Sequence, residues 1–268
     1  MTGRATAFQA LHRPGRPLLL PNAWDHASAA ALAARGHPAI GTTSLGIAAA
    51  AGKPDAAGAT RAENIDLARR LRDLPVLLTV DVEGGFSDHP AAVADYVAEL
   101  AALGVVGVNL EDGRPDGTLA PPELAAAKIA AVKAAVPGLF VNARTDAWWL
   151  GVPGPREEAV RRLRAYREAG ADGLFVPGAP DDTIGLLAAE SGRPLNVLHR
   201  PGGLSLAELG RLGVARVSTG SLLFRAALGA ALDVADALRA GRDVDLPHAP
   251  SYGWVQELTG RFGAECSG

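Results

Sequence analysis

Cysteine is almost absent from this chain: Cys266, close to the C-terminus, is the only one in 268 residues. One thiol cannot close an internal disulfide or build a thiolate metal centre, which excludes disulfide-stapled scaffolds and zinc ribbons. Charge of one sign is lacking too, with a formal net charge of −3. No basic footprint for nucleic acid or an anionic membrane surface is present. Apolar runs are short and broken by Gly, Pro or Arg, well below the roughly 18 residues of a spanning helix. The opening Met1–Ala7 shows no charged segment followed by an apolar one, so a cytoplasmic location is expected.

What is plentiful is apolar surface, at 48% of residues, together with 32 Gly and 19 Pro. That fraction is ample for one large buried core, and α/β barrels of about 250 residues form as single units. Short β-branched or Leu-rich runs recur at 17–20, 38–42, 76–82, 105–110, 139–143, 173–176, 195–198 and 215–218. They are continuously apolar and do not alternate, as parallel strands covered on both faces do. Ala-rich helical patterns separate them. Thr60-x-x-Glu63 and Ser205-x-x-Glu208 read as capping boxes. Pro90, Pro121–Pro122 and Pro155 fit first-turn positions, and Gly36, Gly104, Gly170, Gly192 and Gly213 fit helix C-termini. Eight strand–helix units predict a (β/α)8 TIM barrel over 1–240, with a linker and short helix in 241–268. An open doubly wound sheet is the competing arrangement, but no Gly-x-Gly-x-x-Gly follows the first strand.

Barrel enzymes place their chemistry where strands end. Asn22 and Asp25 follow the first run, Thr43 and Ser44 the second, and Asp81 and Glu83 the third. Glu111 and Asp112 follow the fourth, and Arg144, Thr145 and Asp146 the fifth; Asn196 and His199 lie at the seventh. Converging carboxylates without a Cys or His cluster suit a hard, oxygen-seeking cation, Mg2+ or Mn2+. An arginine beside them offers a two-pronged grip on a carboxylate or phosphonate. Asp25 reads equally well as a helix cap and Asp146 as a partner for Arg144. His12, His37, His89 and His248 read as solvated residues, and Trp148 and Trp149 as packing or a pocket wall.

The motifs Leu20-Pro-Asn-Ala-Trp-Asp25, Thr42-Thr-Ser-Leu-Gly46, Gly52-Lys-Pro-Asp55, Asp81-Val-Glu-Gly-Gly-Phe86, Asn109-Leu-Glu-Asp112 and Asn142-Ala-Arg-Thr-Asp146 occur in order. In that order and spacing the chain resembles the isocitrate lyase/phosphoenolpyruvate mutase superfamily over about residues 15–230. The resemblance implies Asp81 as a direct Mg2+ ligand, Glu83 as the second acidic position and Glu111 as the holder of water around the metal. It implies Thr43, Ser44 and Leu45 around the substrate carboxylate and Arg144 on the substrate oxygens. It places Asp55 towards the reacting group and Asn196 in the pocket wall. It further implies a 2-keto acid or dicarboxylate substrate, an enolate stabilised by Mg2+, and a homo-oligomer (a dimer of dimers) exchanging a C-terminal helix at 222–239 or 251–259.

Departures from the family pattern bear on the reaction. The lyases carry a Cys-Gly-His loop after the fourth strand, whose cysteine delivers a proton; here it reads Gly113-Arg-Pro-Asp-Gly-Thr-Leu-Ala120. The mutases' Lys and Asn are missing from the same loop, and Val176-Pro177-Gly178 stands where the lyases have a glutamate. Cleavage of a C–C bond in a small 2-keto acid or its adduct, by a decarboxylase or a lyase with other acid groups, is the leading expectation. P–C bond chemistry on phosphonopyruvate or phosphoenolpyruvate, as mutase or hydrolase, is a second. A 2-oxoglutarate-binding protein with weak catalysis is a third.

Overall fold

The computed structural model describes residues 2–262; Cys266 lies outside the described residues. Its strands are β1 (Leu18–Leu20), β2 (Asn22–Ala23), β3 (Ala39–Thr42), β4 (Leu77–Asp81), β5 (Gly107–Glu111), β6 (Phe140–Arg144), β7 (Gly173–Phe175), β8 (Leu195–Leu198) and β9 (Arg216–Ser218). All pair in parallel, in the order β1-β9-β8-β7-β6-β5-β4-β3-β2. β1 and β2 are one strand interrupted at Pro21, which has no N–H for the ladder. β1 pairs with β9 and β2 with β3, so the interrupted strand closes an eight-position ring. The expected (β/α)8 barrel is what forms, with its first strand in two pieces.

Eight helices lie between successive strands, two of them between β3 and β4: α2 (His26–Ala34), α3 (Ser44–Ala50), α4 (Arg61–Leu71), α5 (Pro90–Ala102), α6 (Pro122–Ala135), α7 (Pro155–Glu168), α8 (Asp181–Ser191) and α9 (Leu206–Arg211). Pro90, Pro122 and Pro155 occupy first-turn positions as expected. Ser205 and Glu208 form their capping box, and Asp25 caps α2 with Ser28, so Asp25 is a helix cap. The Thr60–Glu63 box does not form: Thr60 turns its hydroxyl to Glu83 and Glu63 pairs with Lys53. A buried carboxylate is the more demanding partner, because leaving it unbonded costs more than an exposed helix N–H facing water.

The floor of the barrel is sealed by α1 (Thr2–Ala10). Its Phe8 packs edge-on to Phe140 at 5.4 Å, among Leu18, Ala39 and Val106 from the strand beginnings. His12 is buried there, stacked on Phe140 at 4.2 Å, which corrects the expectation that it is solvated. The barrel is followed by α10 (Leu222–Arg239), which buries no residue, and by α11 (Tyr252–Phe262). The latter returns to α2, where Leu258 is buried and His26 Nε2 lies 3.1 Å from the Phe262 carbonyl. Among the described residues no helix is long and apolar enough to cross a membrane.

Candidate active site

The upper, C-terminal ends of β3 to β6 bring the expected polar residues to one mouth. Asp81 ends β4 and is buried; its backbone N–H donates to Thr42 Oγ1 at 2.9 Å, and Asn64 Nδ2 donates to its carbonyl at 3.0 Å. Burial, with Asp55 and Glu83 nearby, pushes its carboxyl up to about 6 against the opposing pull of Arg144. Glu111 ends β5, and burial drives its carboxyl well above the usual range, with Asp146, Asp81 and Glu83 adding to the effect and Arg144 opposing it.

Arg144 ends β6, in register with Glu111, and reaches it from Nη1 to Oε2 at 2.8 Å. Its Nε donates to Asp146 Oδ1 at 2.7 Å, so the partnership expected for Asp146 is present. Burial disfavours the guanidinium charge, but Glu111, Asp146 and Asp81 outweigh it and keep the group firmly protonated. The Phe175 and Trp149 rings lie 5.6 and 5.9 Å from its Cζ. Trp149 is 58% exposed, so it is a wall of the mouth and not core.

Glu83 is buried in a turn with three left-handed residues, at φ 49° for Glu83, 85° for Gly85 and 58° for Phe86. Such a conformation is held only where contacts over-determine it. Both oxygens of Glu83 serve as anchors: Oε1 accepts from Thr60 Oγ1 at 2.7 Å and Oε2 from Gly58 N at 2.9 Å. Glu83 thus ties down the 53–59 loop, on which Asp55 is exposed. Among the described residues no three His, Cys, Asp or Glu side chains converge into a ready-made cation cage.

Thr43 is buried at the start of α3, and Ser44 and Leu45 form its first turn, where backbone N–H groups have no helical partner. Gly46 is required here, because a Cβ would lie 2.7 Å from Trp24 Cβ. Asn196 is not in the mouth. It is 1% exposed inside the barrel, with Nδ2 donating to Ser218 Oγ at 3.0 Å. The 113–120 loop is a small hairpin, with Gly113 bridging Leu119 and Arg114 N donating to Thr118 O at 2.9 Å. It lines one side of a cleft of about 240 Å³, opposite Gly58 and Glu83.

Beneath this layer lies a network that strand-end reasoning does not find. Asp112 accepts from Asp146 N at 2.8 Å, from Arg162 Nη1 at 3.0 Å and from Tyr166 hydroxyl at 2.5 Å. Arg162 also donates to the Ala120 carbonyl at 2.8 Å, so one arginine joins the end of the 113–120 loop to the support of Arg144. The signal was in α7: Arg162 and Tyr166 share the buried face of Ala159 and Leu163.

Comparison with known proteins places the chain. A family model described as phosphoenolpyruvate phosphomutase matches residues 8–239, and the chain belongs to this family, within the isocitrate lyase/phosphoenolpyruvate mutase superfamily. An uncharacterised protein of Mycobacterium tuberculosis is 46% identical over 251 residues, covering 93% of this chain and 95% of the relative. An oxaloacetate decarboxylase of Bradyrhizobium sp. is 34% identical, over 71% of this chain and 69% of the relative. A solved phosphonopyruvate hydrolase, in complex with oxalate and Mg2+, aligns at TM-score 0.84 and 28% identity over 97% of this chain and 96% of its own.

Proposed function

We propose that the protein is a Mg2+-dependent lyase that cleaves a C–C bond in a small 2-keto acid or its adduct. The observation that carries this is the mouth itself. Two buried carboxylates, Asp81 and Glu111, have raised pKa values beside an arginine that is firmly charged. Crowded, desolvated negative charge of this kind suits a hard cation. Asp81 would hold the ion, with Glu83 and Glu111 acting through water; Mn2+ would fit the same oxygens. A bound cation supplies Lewis-acid stabilisation of negative charge developing on a keto oxygen.

The chain's own groups account for the rest. Arg144, pinned by Glu111 and Asp146, presents its remaining N–H face to the substrate carboxylate or keto oxygen. Thr43 and the free N–H groups of Ser44 and Leu45 take the other carboxylate oxygens. Asp55, on the loop held by Glu83, faces the carbon at which the bond breaks. The 113–120 loop has no cysteine or histidine to deliver a proton, which favours decarboxylation, whose enolate takes its proton from water after CO2 leaves, over the lyase step that relies on a cysteine acid. The oxaloacetate decarboxylase relative supports the same choice. The likeness to phosphonopyruvate hydrolase supports P–C cleavage as the second reading.

Turnover of oxaloacetate, methylisocitrate, isocitrate and phosphonopyruvate, with and without Mg2+, is the test. Mg2+-dependent release of CO2 from oxaloacetate is expected, abolished by EDTA and by Asp81→Ala. Phosphate release from phosphonopyruvate would move the assignment to the second reading. Turnover indifferent to both EDTA and Asp81→Ala would reject the metal mechanism.

A helix swapped between subunits is proposed for assembly. Over its 18 residues α10 buries none, while Leu228, Leu232 and Leu238 are 51%, 59% and 61% exposed. An apolar face of that kind is stable in water only against a partner.

A further inference from the structure

Among the described residues, buried Lys and Arg side chains have carboxylate partners, with one exception. Arg144 has Glu111 and Asp146, Arg162 has Asp112 and Glu158, and Lys128 has Asp88. Arg216, on β9 inside the barrel, is 0% exposed, and among the described residues no carboxylate lies within ion-pair distance of it. Its Nε donates to Ser218 Oγ at 3.0 Å and its Nη2 to Asn109 Oδ1 at 3.1 Å, both neutral acceptors; its Nη1 has no hydrogen-bond partner.

The guanidinium is locked in place. Asn142 Nδ2 donates to the same Asn109 oxygen at 2.9 Å, and Asn196 shares Ser218. Below, the interior is filled: a Cβ on Gly107 would lie 2.9 Å from Phe8 Cε1, and one on Gly173 2.8 Å from Phe140 Cε1. The charge can neither swing to solvent nor reach a private counter-ion. A lone buried charge is expensive unless an opposite one answers it through the low-dielectric interior. Upwards, Asn109 is the strand neighbour of Asp81 in the β4–β5 register; burial pushes the Arg216 guanidinium down to about 9, and the Asp81 carboxylate opposes that shift.

We infer that Arg216 is the built-in counter-cation of the carboxylates around Asp81, and that its charge holds down the affinity of the mouth for a divalent cation. Without the ion, Arg216 offsets part of the negative charge crowded at Asp81, Glu83 and Glu111. When the ion arrives, the two cations repel one another across the Asn109 layer. The ion is then held best when an anionic substrate adds its own negative charge. Arg216 is a positioning residue, acting through the field and through Asn109 without touching a ligand. The inference rests on the proposed metal-binding reading of the mouth.

Mn2+ binding to the metal-stripped full chain, read from the EPR signal of free Mn2+, tests it independently of turnover. Arg216→Gln and Arg216→Met should bind Mn2+ about tenfold more tightly than the unaltered protein, and Arg216→Lys within about twofold of it. Circular dichroism establishes which variants are folded. Unchanged or weaker Mn2+ binding by a folded Gln or Met variant would overturn the inference. Failure of both neutral variants to fold, with the Lys variant folded, would make Arg216 a purely structural cation and overturn it equally. If the unaltered protein binds no more Mn2+ than Asp81→Ala, the metal reading itself falls and this inference with it. That failure is recognisable because it occurs with Arg216 intact.

Discussion

Thr60 gives its hydroxyl to Glu83 at 2.7 Å, joining the start of α4 to the strained turn after β4. Thr60→Val keeps the shape and leaves a buried carboxylate oxygen without that donor. The expected cost is about 1–3 kcal/mol in urea unfolding. Hydrogen exchange should quicken selectively in residues 53–59, the loop that Glu83 anchors. Unchanged exchange there would show that the loop is held by something else.

Arg144→Lys tests the fork. A lysine keeps the charge but cannot bond Glu111 and Asp146 while also presenting two parallel N–H groups. Affinity for oxalate, a small dicarboxylate probe, should fall by about 10- to 100-fold, with Mn2+ binding much less affected. Equal loss of both would mean that Arg144 organises the cation site as a whole.

Removing Arg162 strands Asp112, whose side chain is fully buried. Arg162→Met should destabilise the fold by about 3–5 kcal/mol in equilibrium unfolding, because the buried Asp112 loses its counter-charge and keeps only the donors Asp146 N and Tyr166. In Asp112→Asn/Arg162→Met the second change should restore part of that loss. A double variant no better than the single one would argue against the pair as the source of the effect.

The buried His12 gives a pH prediction with a definite sign. Burial, reinforced by the Arg216 charge and opposed by the hydrogen bond to the Phe8 carbonyl, lowers its pKa from 6.5 to about 3. The native state refuses a proton that the unfolded chain accepts, so stability is intact above 6.5 and drains away as pH falls from 6.5 towards 3. The slope attributable to His12 is about 1.4 kcal/mol per pH unit. The difference in unfolding free energy between the unaltered protein and His12→Leu, measured from pH 7 to 4, should shrink with that slope. A pH-independent difference would show that His12 titrates normally in the native state.

For α10, Leu228→Glu/Leu232→Glu should reduce the oligomeric mass seen by light scattering. An unchanged mass would place the subunit contacts elsewhere.

Much of this was legible in the sequence because it obeys short-range rules. Continuous apolar runs reported parallel strands, Pro and Gly marked helix ends, and Asp81, Glu111 and Arg144 stood where strands must end. What escaped depends on contacts distant in sequence. Thr60 looked like a helix cap until a buried carboxylate from β4 claimed it. His12 looked solvated because nothing local shows that Phe8 and Phe140 will enclose it. Asn196 lies three residues before His199, yet the pleat of β8 turns it into the barrel interior, where it bonds Ser218. Arg216 passes unnoticed within the 215–218 run, because its partner Asn109 is over one hundred residues away.

The plug formed by α1 makes the barrel a blind well. The cleft between the 53–59 and 113–120 loops lies at the end of the barrel away from that plug. With the floor sealed, whatever enters at the strand ends has to leave by the same end of the barrel.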